Sequence, residues 1–231
     1  MTERPILFSA PMVRAILAGT KTQTRRVLAP RCLGFIDCCC GGAAAQWVAD
    51  GDRWHCGTCG GGARLTPRDV EYVRCPYGQP GDRLWVRETF AEGIHQMADV
   101  NHWVYAADRF GEQQRLGDRW KPSIHMPRAA SRITLEITGV RVERLQAISE
   151  ADAIAEGARH FPDLPIGPLT PTTRFSTPAR WSMESPASTD QCLVTARYAF
   201  GNLIDKINGA GTWDSNPLVW VVEFRRVPSP A

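Results

Sequence analysis

Long apolar runs are missing from this sequence. No segment approaches the roughly 18 consecutive apolar residues that a membrane-spanning helix requires. The N-terminal segment MTERPILFSAP carries charges before a very short apolar run, so it lacks the apolar core of a signal peptide. We therefore expect a cytoplasmic protein with no membrane partner, in which cysteines are more often thiols or metal ligands than disulfides.

Lysine is also scarce, because Lys21, Lys121 and Lys206 are the only lysines among 27 basic residues. Against 24 acidic residues this leaves a formal net charge of +3, which favours a nucleic-acid partner only weakly. The excess of arginine suits bidentate recognition of phosphates or bases, but it also follows from a GC-rich genome. The charge by itself assigns no partner.

The sequence has no internal repeat and lacks the regular alternation of strands and helices that βαβ units show. Short strand patterns and intervening helices predict an α+β or mainly β fold, a small and mostly antiparallel barrel with peripheral helices, rather than a doubly wound sheet. The 231 residues allow one domain with insertions, or two small ones. We predict strands at 5–9, 83–90, 103–108, a strand pair at 131–145 and a strand at 217–227, and helices at 11–19, 149–157 and 192–208. A long loop rich in Pro, Ser and Thr is predicted at 158–190.

Most of the eight cysteines fall within a glycine-rich segment, residues 31–75, for which we predict an insertion without regular elements. The spacing Cys56-x-x-Cys59 is typical of one half of a zinc site, and Cys38 and Cys40 lie across a loop of fifteen residues, 41–55. We predict a structural Zn²⁺ held by these four cysteines. The first half departs from a regular C-x-x-C, so Cys39, Cys32 and His55 stay open as substitutes. The alternative is an insertion with reduced cysteines and no metal.

The segment Gly19–Arg26, GTKTQTRR, places a lysine, three threonines and two arginines directly after the first predicted helix. It is too polar for an ordinary core. Either it lies in solvent, where its basic residues complement the helix dipole, or it lines a site for an anionic or acceptor-rich ligand. Lys21 and Arg26 are the residues that we expect to face such a ligand.

These residues resemble the ASCH domain, a member of the PUA-like β-barrel group. The family pattern of a glycine, a lysine two residues on and an arginine five further fits Gly19, Lys21 and Arg26. This sequence has Thr24 at the position where the family commonly has an acidic residue. Thr24 does match the Lys-Thr-x-Thr-x-Arg pattern of the subgroup that hydrolyses N4-acetylcytidine. The stretches GDRLWV, LEI and VVEF are similar to further family strands. As a whole, the chain resembles a phage-encoded ASCH-like group, with its PILFS start, its KTQTRR, CPYGQPGDRLWVRE and WKPSIHMPRAASRI motifs and its WVVEF ending, and so predicts a phage or bacterial-host protein.

The resemblance implies a barrel formed by residues 1–30 and 76–227 and an amidohydrolase site. In that site Thr24 is the nucleophile, Lys21 the base, Glu136 the supporting acid and Arg26 a substrate clamp. A threonine hydroxyl needs a neighbouring base. A lysine serves as that base only when burial or nearby cations lower its pKa, and Arg25 is one such cation.

Further along the chain, Trp85, Arg87 and Glu88 are candidate substrate-binding residues, because an aromatic beside an arginine can stack a base. A structural Arg–Glu pair on an exposed face is the competing interpretation. His125 could be a general base, but a lone histidine between Ile124 and Met126 is more often structural.

Three functions have support in the sequence, and a fourth, a virion or assembly role, has no positive sequence feature. The first is hydrolysis of an amide on a modified base such as that of N4-acetylcytidine. The second is non-catalytic binding of RNA or a modified nucleotide, for which Thr24 is unnecessary. The third is an ASCH-type ribonuclease that uses Lys21 and Arg26 on phosphate.

Overall fold

The computed structural model describes residues 2–28, 47–50, 53–56, 73–92, 103–108, 120–165 and 180–228, with only the backbone for 47–50, 53–56 and Val73. The strands are β1 (Glu3–Leu7), β2 (Gln23–Val27), β3 (Trp47–Asp50), β4 (Arg53–Cys56), β5 (Val73–Arg74), β6 (Arg83–Arg87), β7 (Phe90–Glu92), β8 (Trp103–Tyr105), β9 (Thr134–Arg144), β10 (Arg159–His160), β11 (Trp181–Ser182) and β12 (Leu218–Val227). The helices are α1 (Ala10–Leu17), α2 (Glu150–Ala155), α3 (Ala196–Asn208) and α4 (Thr212–Ser215), with short 3-10 turns at Ser123–His125, Arg128–Ala130, Leu145–Ala147 and Thr189–Gln191.

The main sheet has five strands in the order β1-β6-β9-β12-β2. β1 and β6 are parallel, and the other neighbours are antiparallel. The first five residues of β12, 218–222, are apolar and buried because both faces of the sheet are covered there, as a continuous apolar run predicts. Trp220 and Val222 pack into one core, whereas Val219 and Val221 pack into the other.

Each face of the sheet has its own helices. On one face, Val13 and Ile16 of α1 pack into the first core. On the other face, Ala153 of α2 and Phe200 and Ile204 of α3 pack into the second core. β2, at one edge of the sheet, therefore runs between α1 on one side and α2 and α3 on the other.

The chain has the mixed α and β structure that the sequence predicts. β1 and β2 form the two edges of the five-stranded sheet, and no strand ladder joins them in the described residues. A side chain does connect these edges, because Arg26 of β2 donates a hydrogen bond from Nη2 to the carbonyl oxygen of Leu7 in β1. This side chain links the two edge strands, but the described strands do not close into a barrel.

Several predicted elements differ in the structure. Residues 131–145 contain one long strand, β9 at Thr134–Arg144, rather than a strand pair, with a register shift opposite Glu223 and Phe224. The predicted loop at 158–190 contains an antiparallel pair, β10 and β11. The insertion, expected to lack regular elements, contains the three-stranded sheet β3-β4-β5. Short strands of this kind carry too few residues for a periodic signal.

The junction between the insertion and the main sheet falls near Cys75. β5 pairs with β4, while Cys75 directly after it is 7% exposed and packs in the first core. The described helices include none with the length and apolar character needed to cross a membrane.

Candidate buried lysine site

Lys21 is a buried cation. The residue is 2% exposed, and its Nζ donates to the carboxylate Oε2 of Glu156 at 2.7 Å and to the backbone oxygen of Glu156 at 2.8 Å. A buried charge is tolerated only when it is paired and hydrogen-bonded, and Glu156, also 2% exposed, meets that need.

The end of α1 turns Lys21 inward. Gly19 adopts a left-handed backbone with a φ of +73°, which a glycine reaches without strain. The N–H groups of Thr20 and Lys21 both donate to the carbonyl oxygen of Ala15, so the chain folds back under its own helix. The N–H of Thr22 then donates to Ala155 at 2.9 Å, which ties this segment to α2.

α2 supplies the carboxylate. Ser149 and Asp152 form a capping box, a pattern that the sequence already contains, and Glu156 is the last residue before the left-handed Gly157. A carboxylate at a helix C-terminus is disfavoured by the helix dipole, so Glu156 needs a cation there. A Cβ on Gly157 would lie 3.3 Å from the Cβ of Ala15 and 3.6 Å from that of Lys21. Glycine therefore permits the close approach of α2 to this segment.

Arg25 holds the other side of the same carboxylate. Its Nη1 lies 3.3 Å from Oε1 of Glu156, and its Nη2 lies 3.3 Å from Oδ2 of Asp152. Its Nε donates to Glu143 at 3.0 Å. Both oxygens of Glu156 are thus engaged by cations, and the carboxylate has one fixed orientation between Lys21 and Arg25.

Burial lowers the pKa of Lys21 from its ordinary value, and the positive charges of Arg26 and Arg25 lower it further. The charge and hydrogen bond of Glu156 act in the opposite direction without reversing the shift. Burial and neighbouring cations are the two conditions that let a lysine act as a general base near neutral pH, and both are present at Lys21.

A cavity with about 360 Å³ of empty space, part of it open solvent, lies along β2. Its polar lining comes from Thr24, Arg25, Arg26 and Glu156. Its apolar wall comes from α1 and α3, through Met12, Phe200, Leu203, Ile204 and Ile207, and Val27 and Asn208 complete it. A mostly apolar cavity with a few convergent polar groups is the usual form of a small-molecule site.

Arg26 is the cavity residue with spare hydrogen-bonding capacity. Its guanidinium carbon lies 5.2 Å from the ring centroid of Phe8, and burial lowers its pKa. Its Nε is shielded from solvent and makes no hydrogen bond to any residue that the structure describes. A buried donor of this kind is costly unless a ligand accepts from it.

The structure does not bring Glu136 to Lys21 and Thr24. Glu136 alternates along β9 with the core residues Leu135 and Ile137, so it faces away from the first core, and it pairs with Arg225 at 2.8 Å. Thr24 lies opposite Val222, whose side chain is in that core. Glu136 and Thr24 therefore lie on opposite faces of the sheet. The carboxylate beside Lys21 is that of Glu156.

Glu156 was missed by the sequence analysis, although a signal existed. An acidic residue placed directly before the glycine that ends a helix is unfavourable with the dipole. It therefore indicates a cation nearby. This signal does not identify the cation, because the sequence contains 27 basic residues.

The second predicted binding group lies elsewhere on the sheet. Trp85 is half-buried, with the guanidinium carbons of Arg87 and Arg128 at 5.3 and 5.9 Å from its ring. Arg87 is itself held by the carbonyl oxygens of Met126 and Ile124. Glu88 is 1% exposed and pairs with Arg132 at 2.9 Å. Glu88 is therefore a buried ion-pair partner, whereas Trp85 and Arg87 remain partly accessible.

The predicted zinc ligands fall almost entirely beyond the described part of the chain. Cys38, Cys40 and Cys59 lie outside the described residues, and Cys56 ends β4 with only its backbone described. Within the described ranges no group of three or more His, Cys, Asp or Glu side chains could hold a metal ion. The zinc site therefore stays a prediction from cysteine spacing.

Comparisons with family models, with curated proteins and with solved structures found no match to this chain.

Proposed function

We propose that this protein is an ASCH-type amidohydrolase that removes the acyl group from a modified base such as that of N4-acetylcytidine, with a site formed by Lys21, Thr24 and Glu156. The observation that carries the proposal is the buried lysine with a lowered pKa, held by Glu156 beside a cavity that Thr24 lines. A lysine that is sequestered in this way is the usual form of a lysine general base.

The fold proposed for this function is a PUA-like barrel. The support is the five-stranded sheet, whose two edge strands are linked by the hydrogen bond from Arg26 to Leu7. Arg26 then has two roles, because it links these edge strands and also lines the cavity.

The hydrogen bonds of Lys21 explain how it would act as a base. A neutral amine has two N–H donors and one lone pair. The carboxylate and the backbone oxygen of Glu156 accept from Nζ, which uses both donors of the neutral form. The lone pair then remains available for the proton of the Thr24 hydroxyl, and the negative charge of Glu156 stabilises the ammonium that forms.

The reaction proceeds in two balanced halves. The hydroxyl oxygen of Thr24 attacks the acyl carbon while Lys21 takes its proton, and the carbonyl oxygen becomes an oxyanion. Collapse breaks the bond to the N4 nitrogen of the base, which leaves with the proton from Lys21. Water then attacks the acyl-threonine ester, and Lys21 again accepts and returns a proton. The products are the free amine, the carboxylic acid and unmodified Thr24.

Arg26 is the group suited to the oxyanion. Its guanidinium lines the cavity and carries the positive charge that stabilises an oxygen as it becomes negative in the reaction. Preorganised donors act most strongly in cavities from which water is excluded. The apolar side chains of α1 and α3 provide such surroundings.

Non-catalytic binding of RNA is a second candidate, and Trp85 between Arg87 and Arg128 is the observation that favours it. An aromatic flanked by arginines is a stacking platform for bases. Binding of this type needs neither the buried Lys21 nor Thr24. A ribonuclease would use Lys21 and Arg26 on phosphate and would release shortened strands.

The proposal is tested by acetate release from N4-acetylcytidine with wild-type protein, Thr24→Ala and Thr24→Ser. Removal of the nucleophile is expected to lower kcat by about a thousandfold, whereas serine keeps a hydroxyl and retains measurable turnover. Circular dichroism confirms that each variant is folded. Undiminished turnover by Thr24→Ala removes Thr24 from the mechanism, and oligonucleotide binding without turnover by the wild type supports the binding function instead.

A further inference from the structure

A second cavity lies on the other side of the segment that carries Lys21. It holds about 500 Å³ of empty space, including open solvent, between α1, the segment after α2, and the residues that follow β11. Its lining includes Arg14, Thr20, Gly157, Arg159 and Ser185. None of these residues has a role in the reaction proposed above.

Two arginines face this one cavity. Arg14 is half-buried on α1, and Arg159 is exposed at the start of β10. Burial lowers the pKa of Arg14, and the positive charge of Arg159 in the lining of the same cavity lowers it further. Arg14 also donates from Nη1 to the carbonyl oxygen of Ala107 at 3.4 Å. Like charges that share a cavity are stabilised when an anion lies between them.

The other polar groups of the cavity are compatible with an anion. Glu184 is the carboxylate of the lining, and it is already paired with Lys206 at 3.2 Å. No carboxylate of the described residues pairs with Arg159, whose guanidinium carbon lies 5.2 Å from the ring of Phe161. Thr20 and Ser185 add hydroxyl groups, although the hydroxyl of Thr20 also donates to the carbonyl oxygen of Ala15 at 3.1 Å.

The cavity is directly beside the proposed reaction centre. Thr20 immediately precedes Lys21, and Gly157 immediately follows Glu156, so residues directly next to both members of the Lys21–Glu156 pair line this cavity. A cationic site therefore lies next to the cavity proposed for the base.

We infer that the cavity containing Arg14 and Arg159 binds a phosphate group, and that the substrate is a phosphorylated nucleotide rather than a free nucleoside. The second part of this inference rests on the proposed hydrolase function. The phosphate could belong to a free mononucleotide or to an RNA chain, since both present the same acceptor oxygens to a guanidinium fork. Binding through two cations weakens as salt screens them.

Phosphate binding is tested first, without any turnover. Inorganic phosphate, cytidine 5′-monophosphate and a short cytidine-containing RNA are each titrated by calorimetry into wild type, Arg159→Gln and Arg225→Gln. Arg225 is the control because it is an exposed arginine of β12 that pairs with Glu136 and does not line this cavity. We expect Arg159→Gln to weaken binding of inorganic phosphate about tenfold, the effect of losing one charge-assisted contact, and Arg225→Gln to leave it unchanged.

The nucleotide arms then identify the source of the phosphate. Tighter binding of the mononucleotide than of RNA indicates a free nucleotide, and the reverse order indicates an RNA chain. An equal loss in both arginine variants, or no binding of phosphate by the wild type, overturns the inference. Arg14→Gln provides a second variant of the same cavity if Arg159→Gln does not fold.

Turnover separates this inference from the proposed function. With acetylated cytidine 5′-monophosphate as substrate, Arg159→Gln is expected to raise KM about tenfold at unchanged kcat, while KM for the free nucleoside stays the same. Phosphate binding without any hydrolysis leaves the anion cavity intact and contradicts only the hydrolase. Hydrolysis whose KM does not depend on Arg159 supports the hydrolase and contradicts the phosphate cavity.

Discussion

At the scale of single residues, Lys21 combines two properties that oppose each other. Its burial disfavours the ammonium form, while Glu156 at 2.7 Å favours it. The net effect is a pKa below the ordinary value of 10.5. A lysine in this balance changes its protonation easily during a reaction, which an exposed lysine does not do at neutral pH.

This balance predicts how the rate depends on pH. Lys21 acts as a base only when neutral, so kcat/KM for acetate release should rise with pH through the pKa of Lys21, with a midpoint below 10.5. The neutral fraction is larger at every pH than for an exposed lysine, because burial lowers the pKa. Initial rates across the neutral and alkaline range measure the profile.

Lys21→Arg is the control for that profile. Arginine retains the positive charge and the pairing with Glu156 but does not lose its proton in proteins. Turnover should therefore fall about a hundredfold or more at every pH. A flat profile for the wild type, or a rate that falls as the pH rises, contradicts the assignment of Lys21 as the base.

The residue scale also shows what the sequence could and could not predict. The density of donors in GTKTQTRR and its family resemblance pointed to Lys21, Thr24 and Arg26, and all three lie at the buried pair or its cavity. The family resemblance placed the carboxylate at Glu136, on the polar side of its strand, but that alternation does not say which face holds the site. Glu156 meets Lys21 only through tertiary packing of α2.

At the scale of elements, α2 is the helix that positions the site. It is only six residues long, Glu150–Ala155, so its caps matter more than its length. Ser149 accepts from the N–H of Asp152, and Asp152 in turn accepts from Ser149. Its other end presents Glu156 to Lys21, so loss of the cap should loosen the carboxylate as well as the helix.

Ser149→Ala is therefore expected to lower the free energy of unfolding by about 1 kcal/mol, the usual cost of removing an N-cap hydroxyl. Urea unfolding followed by circular dichroism measures the change. Ser149→Thr is the matched variant, because threonine keeps the capping oxygen and should retain most of the stability. Equal midpoints for wild type and Ser149→Ala would show that the capping box contributes nothing to the fold.

Elements were predicted best where their signals are local. The capping box, the glycine after α1 and the apolar run of β12 each gave a correct element, because their causes lie within a few neighbouring residues. β10 and β11 were missed because each has two residues and they pair across twenty positions of chain. Such a ladder depends on contacts that no local pattern records.

At the scale of the whole molecule, the sheet and the cysteine-rich insertion meet near Cys75. The small sheet β3-β4-β5 orders part of the insertion by backbone pairing. The spacing of Cys38, Cys40, Cys56 and Cys59 predicts a zinc ion as the further constraint, since small glycine-rich segments have little core of their own.

Metal analysis of protein purified without chelator should therefore find about one zinc ion per chain. Cys59→Ser is expected to lose most of that zinc, because a structural site needs four ligands. Cys192→Ser is the control, since Cys192 is a buried free thiol next to α3. A zinc content near zero in the wild type contradicts the predicted site.

The function as a whole depends on which carboxylate serves Lys21, and one comparison tests this directly. Acetate release from N4-acetylcytidine is measured for wild type, Glu156→Gln and Glu136→Gln, since each substitution removes a charge and keeps the shape. We expect Glu156→Gln to lower kcat about a hundredfold or more. The kcat of Glu136→Gln should stay within about twofold of the wild-type value, as for a surface ion pair. Unchanged turnover in Glu156→Gln, or a greater loss in Glu136→Gln, contradicts this prediction.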